Sequence, residues 1–121
     1  MYREKDMKIW LDDLMDDRES NRGVPQGFVG AHSVNEAIEL VEFAISHEKE
    51  IEMVDLDHDL GDYAGDGGDA INFLHYLREH EIFPPVRLHT NNPVGYDNMR
   101  NYVNDNWPEE YHILEEFRFY K

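Results

Sequence analysis

Ile51-Glu52-Met53-Val54-Asp55-Leu56 is an apolar run too short for a helix, and it ends in Asp57-His58-Asp59-Leu60-Gly61-Asp62. The run reads as a partly buried strand, and Gly61 marks where the backbone turns. Carboxylates packed this tightly around an imidazole need a cation, a proton or a ligand. Acids held at the mouth of a strand are where α/β proteins do chemistry, so this segment constrains both the fold and the site.

The rest of the chain alternates in a way that fits such a strand. Met7-Lys8-Ile9-Trp10-Leu11 reads as a first strand closed by Asp12-Asp13. The polar stretch 16–27, with Gly23, Pro25 and Gly27, reads as a loop, and a short strand is expected over 28–31. Ser33-Val34-Asn35-Glu36 has the form of a capping box, with the serine oxygen taking a backbone N–H and Glu36 reaching back. The helix it opens runs to about His47 and carries one apolar stripe of Ala37, Ile38, Val41, Ala44 and Ile45. After the central strand and a glycine-rich turn over 61–68, a second helix over 69–80 is expected to bury Ile71, Phe73, Leu74 and Leu77. Pro84-Pro85 ends any continuation.

Val86-Arg87-Leu88-His89-Thr90 reads as a further strand, and Asn92-Pro93 as an N-cap followed by a first-turn proline. A third helix over 94–106 would bury Val94, Met99, Tyr102 and Val103, and 115–120 alternates as a last strand. Helices between successive strands favour crossover connections, hence one α/β domain over 1–121 with a mostly parallel sheet covered on both faces.

Composition excludes several classes. With 27 acids against 11 bases and a net charge of -16, the chain is not expected to bind duplex nucleic acid, which requires bases that displace phosphate counterions. The charge is read either as a solvated surface or as an acidic face for a basic partner. Cysteine is absent, so any metal must be held by oxygen or imidazole. No apolar run approaches the roughly 18 residues of a membrane span, and Met1-Tyr2-Arg3-Glu4-Lys5-Asp6 lacks the apolar stretch of a signal peptide. A cytoplasmic protein without membrane contact is expected.

In an open parallel sheet the ligand crevice lies beyond the carboxyl ends of the strands. That edge would collect Asp12-Asp13, Asp57-His58-Asp59 and His89-Thr90-Asn91-Asn92 from three different strands. Carboxylates a few ångströms apart repel by about 4 kcal/mol per close pair at an effective dielectric of ~20. A hard divalent cation, magnesium above others, would relieve this. Each cluster also has a plainer reading. Asp12-Asp13 can be a strand end with a turn, and the later acids a solvated loop or, from their spacing, a calcium loop. His89 can be a core histidine bonded to backbone, and Asn92-Pro93 a helix start. Asp55, inside the strand, has no assigned role.

Three strings together resemble a known family: Ile9-Trp10-Leu11-Asp12-Asp13, then Leu56-Asp57-His58-Asp59-Leu60-Gly61, then Leu88-His89-Thr90-Asn91-Asn92-Pro93-Val94-Gly95 with Met99 after it. In that order they resemble the cyclic-phosphate-processing receiver-like family, an offshoot of the response-regulator receiver fold. The resemblance implies a flavodoxin-like three-layer α/β/α sandwich around a five-stranded sheet. It implies Asp12 and Asp13 as the acidic pair on magnesium, Asp57 at the phosphoacceptor position, and Asp59 completing the metal shell through its backbone carbonyl. Thr90 stands where receivers keep a hydroxyl beside the phosphoryl group, and Lys121 is the one counterpart for the receiver lysine. The basic residue usual soon after the first acidic pair is missing, Met15 standing near that place and Arg18 a little later.

His58 and His89 depart from an ordinary receiver, which needs no imidazole to autophosphorylate. Paired imidazoles suit general acid–base work near neutral pH. The expected function is therefore processing or hydrolysis of a small cyclic phosphate or phosphate ester. Magnesium would be held by Asp12, Asp13 and Asp57, and His58 or His89 would move protons. Asn91, Asn92 and the third helix's N-terminus would hold phosphate oxygens. Asp57 attacking directly, to form an aspartyl phosphate, is the covalent version. A phosphoacceptor signalling module and a non-catalytic acidic binding protein are the alternatives.

Overall fold

The computed structural model describes residues 6–14, 23–115 and 117. Four strands, β1 (Met7–Leu11), β2 (Val29–Ala31), β3 (Ile51–Leu56) and β4 (Val86–Leu88), form a parallel sheet in the order β2-β1-β3-β4. Three helices connect or follow them: α1 (Val34–Ser46), α2 (Ile71–Glu79) and α3 (Pro93–Asn106). This is the receiver-like α/β fold. Because β2 and β3 lie on opposite sides of β1, the connection through α1 must cross β1, as parallel pairing requires.

Alternation along the strands sorts their side chains between two faces. Met7, Ile9 and Leu11 of β1, Val54 and Leu56 of β3 and Val86 of β4 enter one core. That core also takes Val34, Ala37, Val41 and Ala44 of α1, Phe73, Leu74 and Leu77 of α2, and Met99 and Val103 of α3. All three helices therefore cover the same face of the sheet. The other face carries the register neighbours Lys8 and Met53 and, across three strands, Trp10, Asp55 and Arg87. Among the described residues no helix packs there.

The sheet has four strands among the described residues, not the expected five. The fifth strand is expected at 115–120, where Glu115 and Phe117 carry no strand structure and the other positions lie outside the described residues. Lys121, Met15 and Arg18 lie outside them too. Two residues expected in the core are exposed. Ile45, at the margin of the α1 stripe, is 55% exposed, and Val94 is 67% exposed. Val94 precedes Tyr96 by two residues, about 200° around a helix, so it faces away from the buried Tyr96, Met99 and Val103.

The cap of α1 also differs from the expected box. Ser33 Oγ does accept the Glu36 N–H at 3.1 Å. Glu36 reaches one residue further back, where its Oε1 accepts the His32 backbone N–H at 2.9 Å. Ser33 Oγ also donates to Asp66 at 2.7 Å, and Asn35 Nδ2 donates to the same carboxylate at 2.9 Å. The start of α1 is thus tied to the loop that follows β3.

Candidate functional site

Backbone hydrogen bonds continue past the strand ends and set the site residues in register. The Asp12 N–H donates to Ala31 O at 3.1 Å, the Asp57 N–H to Leu11 O at 2.9 Å, and the His89 N–H to Leu56 O at 2.9 Å. Four chain segments are thereby locked side by side at the carboxyl edge, three of them carrying the expected site residues. One carboxylate oxygen from each of Asp12, Asp13 and Asp57 lies within 4.8 Å of the others. Asp12 is fully buried and Asp57 nearly so. Asp13 has room because Gly61 has no side chain: a Cβ there would stand 2.6 Å from Asp13 Oδ2, and Gly61 has φ +55°. The turn glycine is thus part of the acidic site. Three oxygen donors in a half-buried cluster fit a hard cation such as magnesium.

Above the cluster is an open cleft of about 330 Å³. Asp13, Leu14, Asp57, Asp59 and Gly61 line it together with Thr90, Asn91 and Asn92. Neither His58 nor His89 is on its wall, and each stands behind a carboxylate. A larger cavity of about 440 Å³ runs beside β4 and touches Asp55 and His89 but none of the three clustered acids. Of the two, only the smaller cleft is lined by members of the acidic cluster, Asp13 and Asp57.

His89 is 2% exposed and both its ring nitrogens face acids. Nδ1 lies 2.7 Å from Asp55 Oδ1 and Nε2 lies 3.1 Å from Asp12 Oδ2. The ring stacks on Trp10 at 3.8 Å between centroids and 7° between planes. Burial pushes the imidazole pKa down, but the hydrogen bonds to Asp12 and Asp55 and their charges outweigh it and hold the pKa above its ordinary value. Ionised carboxylates only accept, so the ring matches both partners when both nitrogens carry protons. The backbone-bonded core histidine considered above is replaced by a carboxylate-bonded one.

His58 is placed differently. Its side chain is 14% exposed, and Nδ1 lies 2.7 Å from Asp59 Oδ1. The ring packs on α3 so closely that a Cβ at Gly95 would come within 2.5 Å of it. Asp59 also accepts both bonds of the Asn92 amide, at 3.1 and 3.2 Å. Its carboxylate groups with His58 and Asp69, one ligand atom from each lying within 4.8 Å, and not with Asp12, Asp13 and Asp57.

Asn92 is occupied as well: its Oδ1 caps α3 by accepting the Gly95 N–H at 3.0 Å. With Pro93 lacking an N–H and Gly95 engaged, the first turn of α3 retains little besides the Val94 N–H for an anion. Thr90 is buried at the cleft wall, and its Oγ1 accepts the Asn92 N–H at 3.1 Å. Asn91 is exposed there.

Sequence reasoning missed Asp55. Its carboxylate is buried, with Oδ2 accepting from Arg87 Nε at 3.0 Å and Nη2 at 2.9 Å, and Oδ1 facing His89. The available signal was parity. Asp55 and Asp57 share a face of one strand, Arg87 and His89 share a face of the next, and a buried acid needs such partners.

A family model described as the cyclic-phosphate processing receiver domain matches residues 7–105, which span the acidic cluster, the cleft and both histidines. Neither a curated protein nor a solved structure matches the chain.

Proposed function

The chain belongs to the family of cyclic-phosphate processing receiver domains, and from that membership we propose that it processes a small cyclic phosphate or phosphate ester in the cleft above Asp12, Asp13 and Asp57. The observation that carries this reading is the convergence of those three carboxylates beneath a cleft that Thr90 and Asn91 also line. Asp12, Asp13 and Asp57 would hold magnesium, which when bound supplies Lewis-acid polarisation of a phosphoryl oxygen and offsets charge on the phosphate.

The protein's own groups do the rest. Gly61 lets Asp13 approach without steric conflict. Asn91 offers an amide to the phosphate from the cleft wall, while Asn92 is committed to Asp59 and to the α3 cap. Proton transfer falls to the His58–Asp59 pair, whose carboxylate lines the cleft and whose imidazole stands behind it at 2.7 Å. His89, engaged by acids at both nitrogens, holds Asp12 in place and does not meet substrate.

The test is turnover of a panel of cyclic nucleotides and cyclic-phosphate RNA ends by purified protein. Turnover should require magnesium and fall by at least ~100-fold in Asp57→Asn, since a ligand and candidate nucleophile is removed. A silent panel would sink the proposal. A second reading, phosphoacceptance, is favoured by Asp57 and Thr90 sharing one cleft. It predicts a mass gain of one phosphoryl on Asp57 with a small phosphodonor, and unmodified protein after that treatment counts against it.

A further inference from the structure

We infer that Asp55 is a positioning residue that sets the Asp12 carboxylate in the acidic cluster by fixing the ring of His89, with Arg87 as its outer clamp. The inference rests on the reading that Asp12, Asp13 and Asp57 hold a cation.

Asp55 lies in the interior of β3, 3% exposed, and does not line the cleft. An acid buried there only for an ion pair would turn both oxygens to its arginine. Instead its oxygens are divided: Oδ2 takes both Arg87 donors, and Oδ1 is turned to His89 Nδ1 at 2.7 Å. A carboxylate paired with a guanidinium is ionised and accepts only, so Nδ1 must carry a proton. The Trp10 stack at 3.8 Å holds the plane of the ring, and Asp55 selects its orientation within that plane.

With Nδ1 anchored, Nε2 points at Asp12 Oδ2, 3.1 Å away. The other Asp12 oxygen accepts the Leu14 N–H at 2.8 Å. Asp12 is therefore pinned from two sides, by backbone and by a ring that Asp55 orients. Groups that hold a metal-binding carboxylate through hydrogen bonds change metal affinity by about 10–100-fold when removed. Here the support runs Arg87, Asp55, His89, Asp12, from a half-exposed guanidinium to the buried side of the cluster.

The experiment uses the full chain and three variants. Asp55→Asn keeps an acceptor oxygen for Nδ1, Asp55→Ala keeps none, and Arg87→Gln loosens the clamp from outside. In metal-free protein, the His89 Nδ1–H should give a slowly exchanging ring signal in ¹H–¹⁵N spectra, retained in Asp55→Asn and lost in Asp55→Ala. Calorimetric titration with Mg²⁺ should then show affinity about tenfold weaker in Asp55→Ala, with Asp55→Asn recovering part of the loss.

If Asp55→Ala does not fold, Arg87→Gln carries the test, with a shifted His89 signal and weaker Mg²⁺ binding expected together. An unchanged His89 signal in folded Asp55→Ala overturns the inference. So does unchanged Mg²⁺ affinity once that signal is lost. Wild-type protein that takes up no Mg²⁺ overturns the cation reading itself. That failure is told apart by the metal-free His89 signal, which would still respond to Asp55→Ala.

Discussion

His89 and His58 follow adjacent strands of one sheet, yet the fold uses them in opposite ways. His89 is 2% exposed, held by Asp55 and Asp12 at its two nitrogens and stacked on Trp10. His58 is 14% exposed, with Nδ1 on an exposed acid and its ring against α3. Burial and the number of nitrogens held by acids thus separate the two imidazoles, and the proposed proton transfer is given to His58 for that reason. Both residues look alike in sequence, each one position from an expected site residue.

The largest effect is expected on the buried side. His89→Ala leaves the Asp12 and Asp55 carboxylates buried without their shared partner and should cost about 3–5 kcal/mol in denaturant unfolding. A loss under 1 kcal/mol would erase the distinction between the two histidines. The pH dependence has a definite sign. The folded pKa of His89 lies above the ordinary 6.5, so its stabilisation is fully present below that pH and is lost as pH rises through the folded value. Melting of EDTA-treated protein should accordingly fall across that window, and His89→Gln should flatten the fall.

Next comes Gly95→Ala. Alanine normally stabilises a helix interior by about 1 kcal/mol over glycine, but here the new Cβ would sit 2.5 Å from the His58 ring. The sign should reverse, to a loss of about 1–3 kcal/mol. In a His58→Ala background the loss should vanish, because the colliding ring is gone. His58→Ala alone should cost no more than about 1 kcal/mol, since its partner Asp59 is solvent-screened. Chemical denaturation of the two single variants and the double variant closes that cycle.

The smallest effect is expected at Asp66, in the loop that also carries His58. Hydrogen bonds from Asn35 and then Ser33 hold its pKa below the ordinary 3.8. Its contribution is present above that pH and fades as pH falls through the folded value. Asp66→Asn should therefore slightly flatten the acid limb of the stability profile. An identical acid limb in variant and wild type would show that the tie to α1 adds nothing.

Much of this is legible in the sequence. The period of Ala37, Val41 and Ala44, the stop at Pro84-Pro85 and the Asn92 cap locate helices because helix formation is local. Short apolar runs ending in acids locate β1 and β3, and the run into His89-Thr90 locates β4. The convergence of Asp12, Asp13 and Asp57 followed from parallel pairing alone, since parallel strands bring their carboxyl ends to one edge. Less legible were the commitments of individual polar groups. The Asn92 amide bonds Asp59, and the Asp59 carboxylate faces His58, pairings that no local pattern announces.

The linear chain, then, determined the alternation of elements, the parallel sheet and the acidic edge, all of which depend on periodicity and on which residues end each strand. Only the tertiary structure decided that Asp55 reaches His89, 34 residues away, while Arg87 takes its other oxygen, and that His58 meets Gly95. Those contacts depend on strand order and on how closely helices approach the sheet edge. Both are set by the packing of the whole core, and local sequence has no access to either.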